Sequence, residues 1–275
     1  MSCKFCQYES LITLGIVQSP ISGHSYSLFK CRKCHSCFFN EKEHPVDLGE
    51  IYETLANDRQ RLPTSFSSKR TWKRQKQTII NLLGNNPGSI LDVGCRTGDF
   101  LMHFAGETKC TGVEISSRYA QIASQRGLEI INDALENISF TRQYEVVTCF
   151  AILEHLRDPL KFISSLQNIV IPGGLLIIMI PSIQTIKAKY CRSKWHMLSP
   201  PEHLNFFSKN FIDSYLKERQ FDRIMRYYSS GGMLFYKGKC SLIIKTEALF
   251  TQFLDYSLVN RIPIFDHMYS YYLKR

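Results

Sequence analysis

The sequence predicts an α/β protein, a doubly wound, mostly parallel seven-stranded sheet preceded by a small cysteine module. Three observations carry this. Between residues 89 and 180, short apolar runs of strand length alternate with amphipathic stretches of helix length, the pattern of a parallel sheet covered on both faces. One of those strands runs into a glycine loop and then a helix-like stretch. Ahead of the series, five of the ten cysteines crowd into the first forty residues.

Residues 1–40 read as one unit, with the pairs Cys3-x-x-Cys6 and Cys31-x-x-Cys34 around a segment rich in Ser, Gly and β-formers. The first residues lack the apolar stretch of a secretion signal, so the cluster points to metal ligation rather than disulfides. Two knuckle-like pairs suit a structural, tetrahedral Zn2+ held by Cys3, Cys6, Cys31 and Cys34. The intervening 24 residues are enough for a hairpin. His35 and Cys37 stand close enough to replace a ligand.

Residues 41–66 read as a connector, with Tyr52 and Leu55 at helical spacing and Pro63 closing it, and 67–275 as the main domain. There, Ser67 to Leu83 reads as a helix broken at Gly84-Asn85-Asn86-Pro87-Gly88. Strands are expected at 89–93, 109–114, 128–131, 144–149, 175–180, 221–228 and 268–273. Helices are expected at Asp99–Ala105 and Ser117–Arg126. A third is capped by Asp158, carries Pro159 in its first turn and ends at Pro172-Gly173-Gly174. A fourth is capped by Ser208, with Phe211, Ile212, Tyr215 and Leu216 on one face. Thr246 to Leu258 is an aromatic-rich helix candidate.

The net charge of +10 divides into +5 over residues 1–80, −3 over 81–182 and +8 over 183–275. Basic flanks suit phosphates, sugar nucleotides, nucleic acid or an anionic membrane face, or form a solvated surface. No apolar run reaches the roughly 20 residues that span a bilayer, and a cytoplasmic address is expected.

The chemistry lies in Ile90-Leu91-Asp92-Val93-Gly94-Cys95-Arg96-Thr97-Gly98-Asp99-Phe100. A buried strand ends in an acidic residue and a Gly-x-x-x-Gly loop, whose small residues let backbone approach a ligand. The Gly-x-Gly-x-x-Gly fingerprint of nicotinamide binding is absent. Glu114 ends the next strand, and Asp133 follows the third. Phe150-Ala151-Ile152-Leu153-Glu154-His155-Leu156 follows the fourth, and Pro172-Gly173-Gly174 precedes the fifth. Over roughly residues 70–230 this series resembles the class I S-adenosylmethionine-dependent methyltransferases.

The resemblance implies that Gly94, Cys95 and Gly98 shape the loop under the cofactor, with Asp92 anchoring that loop or reaching the cofactor's amino group. It places Glu114 and Ile115 at the ribose, Asp133 and Ala134 at the adenine edge, and Phe150 as the far wall. Arg96 departs from the small residue common at its position and either points to solvent or reaches the cofactor carboxylate. His203, and second His155, are the candidate bases. Lys194 to Phe207 gathers Trp195, His196, His203 and Phe206 as an acceptor lid would. An N-terminal four-cysteine module ahead of such a domain is similar to methyltransferases acting on sugars and related metabolites, which makes a sugar or sugar nucleotide the expected acceptor. Two alternatives stay open. One is a nucleic-acid methyltransferase, although the Asp/Asn-Pro-Pro-aromatic and Pro-Cys signatures of two such groups are missing. The other is a zinc-ribbon binding protein that has lost turnover.

Overall fold

The computed structural model describes residues 1–40, 66–229 and 265–275. Most of the expected connector and the helix candidate Thr246–Leu258 lie outside the described residues. The N-terminal unit contributes β1 (Leu11–Gln18), β2 (Ser25–Cys31) and β3 (Cys37–Phe39). The helix α1 (Phe66–Leu83) leads into β4 (Ser89–Val93), β5 (Lys109–Val113), α2 (Ser117–Gln125) and β6 (Glu129–Ile131). Next come β7 (Tyr144–Phe150), α3 (Pro159–Ile169) and β8 (Val170–Pro181). The chain then forms α4 (Ile186–Cys191), β9 (Asn205–Phe206), α5 (Lys209–Lys217), β10 (Phe221–Ser229) and β11 (His267–Lys274).

Among the described residues the large sheet has seven strands in the order β10-β11-β8-β7-β4-β5-β6. β4 pairs in parallel with both β5 and β7, while β11 is antiparallel to its neighbours β8 and β10. Strand order therefore reverses beside β4, and ligands of open α/β sheets bind at the carboxyl ends of strands flanking such a point. Alternate residues supply the two faces. Leu91, Val147 and Ile178 belong to one buried cluster, and Ile90, Val146 and Ile177 to the other. Each such side chain contributes about 1.5–3 kcal/mol by leaving water.

Two boundaries differ from expectation. The segment Asp99–Ala105 makes only a 3-10 turn at Leu101–His103. Phe100, Leu101 and Phe104 are drawn into the core, and Gly106 turns the chain at φ 86°. Helix α3 ends at Ile169 rather than at Pro172, because Val170 already pairs with Tyr144 of β7. The Asp158 and Ser208 caps form as expected, accepting from the Lys161 and Phe211 amides.

The cysteine unit does not stand apart. Its sheet runs β1-β2-β3-β9, so the two-residue strand of the main domain completes it, Cys37 opposite Phe206 and Phe38 opposite Asn205. A third buried cluster fills this seam, with Tyr26, Leu28, Cys37 and Phe39 against Trp195, Leu204 and Phe206. Among the described residues no helix is long and apolar enough to cross a membrane.

Candidate active site

The glycine loop sits at the carboxyl end of β4. Gly94 and Gly98 have φ of 74° and 75°, a region costly for residues with a Cβ. A Cβ on Gly94 would also overlap the Ile152 side chain. The loop is clipped to β5 by a carboxylate. Glu114, buried, accepts from the Arg96 amide and from the Ser116 amide, both at 2.8 Å. Asn132 fixes the same corner by donating to the carbonyls of Glu114 and Ile115, leaving the Ile115 side chain exposed.

Asp92 lies behind the loop and accepts from the Thr148 hydroxyl at 2.6 Å. Burial pushes its pKa up to about 7, with Glu114 adding to the rise. Arg96 is exposed, in line with the solvent-facing alternative, and its guanidinium lies over the Tyr119 ring at 5.3 Å. Cys95 is buried under the loop, its thiol raised by desolvation. Asp133 is exposed and accepts from its neighbour's amide, that of Ala134, at 2.7 Å. Phe150 closes the other side, packed on Trp72, Phe100 and Tyr269.

A second cluster begins where β7 ends. Ala151 takes φ 55°, and the turn that follows carries Ile152 over Gly94 and then Glu154 and His155. Glu154 is 1% exposed, and desolvation raises its carboxyl pKa to about 8. His155 and His203 meet edge to face with ring centroids 4.8 Å apart. The Nδ1 atoms of these rings lie 2.7 Å from the Glu202 carbonyl and 2.8 Å from the Met197 carbonyl. Asn205 binds the backbone carbonyls of Leu153 and Leu156 at 3.0 and 2.7 Å, and the Leu204 amide donates to Glu154 O at 2.7 Å.

The lid expectation is corrected in part. His203 does reach His155, but Trp195 and Phe206 face the core. Trp195 is 1% exposed, donates to Asp266 at 2.7 Å and packs on Phe206. The segment is apolar because it forms the seam with the cysteine unit. Glu154, Thr148 and Trp72 were not singled out from the sequence. For Glu154 the available signal was its place beside His155 at the carboxyl end of a strand.

In the cysteine unit the Sγ atoms of Cys3, Cys6, Cys31 and Cys34 all lie within 4.8 Å of one another. The Cys3–Cys34 and Cys6–Cys31 separations are 3.7 and 3.5 Å. Tetrahedral bonds of about 2.3 Å to zinc require sulfurs about 3.8 Å apart. The amides of Lys33 and Cys34 point at Cys31 Sγ. Cys34 is held down to about 5 by its hydrogen bond from Cys3, whose own thiol is pushed up. His35 and Cys37 are not part of the set. His35 occupies a left-handed turn, and Cys37 is buried in the seam.

A glycine loop clipped by a strand-end carboxylate, at the reversal point of a sheet with an antiparallel seventh strand, defines the class I S-adenosylmethionine-dependent methyltransferase fold. A family model described as a methyltransferase domain matches residues 66–224, and the chain belongs to that family. It is 30% identical over 153 residues to the ubiquinone biosynthesis O-methyltransferase of Erwinia tasmaniensis, covering 49% of this chain and 61% of that protein. The enzyme of the same name from Vibrio vulnificus strain YJ016 is 35% identical over 97 residues, covering 31% of this chain and 40% of that protein. Among solved structures, the N-methyltransferase NodS of Bradyrhizobium japonicum, bound to S-adenosylhomocysteine, superposes with a TM-score of 0.54 at 13% identity, covering 82% of this chain and 95% of that one. Magnesium protoporphyrin IX methyltransferase of Synechocystis PCC 6803, also with bound S-adenosylhomocysteine, superposes with a TM-score of 0.58 at 14% identity, covering 83% and 98%.

Proposed function

We propose that this protein transfers the methyl group of S-adenosylmethionine to a hydroxyl of a small-molecule acceptor. The observation that carries the reading is the clipped glycine loop, with Ile152 packed against Gly94 and the Glu154–His155–His203 cluster beginning two residues further along the same turn. Gly94, Cys95 and Gly98 shape the loop under the cofactor, Glu114 and Ile115 take its ribose, Asp133 with Ala134 its adenine, and Asp92 its cationic amine. Phe150 and Trp72 exclude water behind it. When bound, the cofactor supplies an electrophilic methyl group, so the protein's task is to align an oxygen in line and remove its proton. In balance, an O–H and an S–CH3 bond are exchanged for an O–CH3 bond, a thioether and one proton. His203 and His155 take the part of acting on that hydroxyl in this reading. The likeness to O-methyltransferases supports oxygen as the acceptor atom. Sugars and sugar nucleotides, expected from the cysteine unit, are one class of such hydroxyls.

The cysteine unit is proposed to hold one structural zinc through Cys3, Cys6, Cys31 and Cys34, since sulfur spacing and amide directions suit tetrahedral thiolate ligation. Residues 1–40 are thus a module that braces β9.

Calorimetric titration with S-adenosylhomocysteine tests the cofactor site. Glu114→Gln keeps one acceptor oxygen for the loop, whereas Glu114→Ala would also unclip it. Loss of charge-assisted bonds worth about 1.5–3 kcal/mol is expected to weaken binding roughly 10- to 100-fold. Equal affinities in both proteins would place the ribose elsewhere.

A further inference from the structure

We propose that Glu154, His155 and His203 form a second metal site, which holds a first-row divalent cation that binds the acceptor's hydroxyl. The three offer one carboxylate oxygen and two imidazole nitrogens, mutually within 4.8 Å. This is the two-histidine, one-carboxylate donor set that leaves coordination positions open for water or substrate.

Three further observations point to a cation. The first is the orientation of the imidazoles. A carbonyl can only accept, so each Nδ1 carries the proton it donates to Glu202 O or Met197 O. That fixes the tautomer whose Nε2 bears a lone pair, and a backbone carbonyl on the opposite ring nitrogen is the usual outer support of a metal-bound histidine. The second is Glu154. Its Oε1 lies 4.0 Å from His155 Nε2, and its Oε2 is buried with no hydrogen-bond partner among the described residues. An unsatisfied buried carboxylate oxygen is costly, and a cation between it and the imidazoles would remove that cost. The third is rigidity. Backbone bonds from Leu204 and Asn205 hold the Glu154 turn to β9, and β9 is itself paired with β3.

This inference rests on the methyl-transfer reading and gives the two histidines a different part in it. They act on the hydroxyl through the metal rather than as free bases. A hydroxyl bound to a divalent ion ionises more readily. The O–H bond breaks with its electron pair left on the metal-bound oxygen, and the proton passes to solvent water.

The test is titration with Co2+ of the full-length protein carrying one equivalent of zinc per chain, enough to fill the cysteine site alone, followed by visible absorption and calorimetry. Cobalt binds thiolates less strongly than zinc, so the cysteine site stays filled. One Co2+ per chain is expected, with weak ligand-field bands and no thiolate charge-transfer absorption. Glu154→Gln and His203→Ala are each expected to weaken that binding by about 100-fold, while S-adenosylhomocysteine binding stays within a few-fold of the parent. Absence of stoichiometric Co2+, a thiolate-type spectrum, or unchanged affinity in both variants would overturn the site. The homocysteine titration separately reports whether the cofactor reading stands.

Discussion

At the scale of single residues, the acidic pair behind the loop divides its work by environment. Glu114 accepts two backbone amides, while Asp92 has the Thr148 hydroxyl and deep burial. In the unliganded protein, the Asp92 pKa is raised from 3.8 to about 7. A carboxyl raised on folding contributes stability that is fully present below its unfolded pKa and lost as pH rises through the folded one. Between pH 4 and 7 the unliganded protein should therefore lose about 3 kcal/mol through this residue. Asp92→Asn should escape the loss, so its advantage in urea unfolding should widen across that interval. A constant difference would mean that Asp92 is ionised throughout. The residue types at positions 92, 94, 98 and 114 could be read from the strand-loop-helix pattern. The partners Thr148 and Ser116 could not, because both are ordinary strand and turn residues until tertiary pairing brings them to the carboxylates.

At the scale of elements, local signals were reliable where a side chain satisfies the backbone of its own segment. Asp158 and Ser208 are such cases. Asp99–Ala105 is the opposite case, where burial of Phe100, Leu101 and Phe104 overrides helical continuation. Helix α5 carries a double duty invisible in its cap signature. Ser208 Oγ accepts from Phe211 N at 3.2 Å and donates to Cys34 O at 2.6 Å, tying the helix start to the cysteine loop. Ser208→Ala is expected to cost about 1–2 kcal/mol, whereas Ser208→Thr keeps both bonds and most of the stability. Equilibrium unfolding of the two variants decides this, and equal losses would show that the hydroxyl contributes nothing beyond packing.

At the scale of the molecule, the cysteine unit and the main domain share one sheet and one buried cluster. Metal loss should therefore not be confined to residues 1–40. Removing the proposed zinc with a strong chelator under reducing conditions should lower the melting temperature of the whole protein. It should also raise protease sensitivity around residues 195–208, since β9 would lose its partner β3. Cys34→Ala should reproduce both effects and lower the zinc content of the purified protein. Unchanged melting with an unchanged cleavage pattern would show that the module merely rides on the domain.

The alternation of apolar strands with amphipathic helices, the glycine loop and the paired cysteines are short-range patterns. By themselves they determined the α/β class, the strand series, the glycine loop and the four thiols. Tertiary structure alone decided which distant groups meet. It buried Trp195 and Phe206 in a seam, laid Arg96 on Tyr119 and brought His203 to Glu154 and His155 across nearly fifty residues. Such meetings depend on strand order, and β9 joins the sheet of the cysteine unit while β11 inserts between β8 and β10. Pairings of that kind leave no periodicity in the chain, because the hydrogen bonds that make them belong to the backbone and not to any residue type.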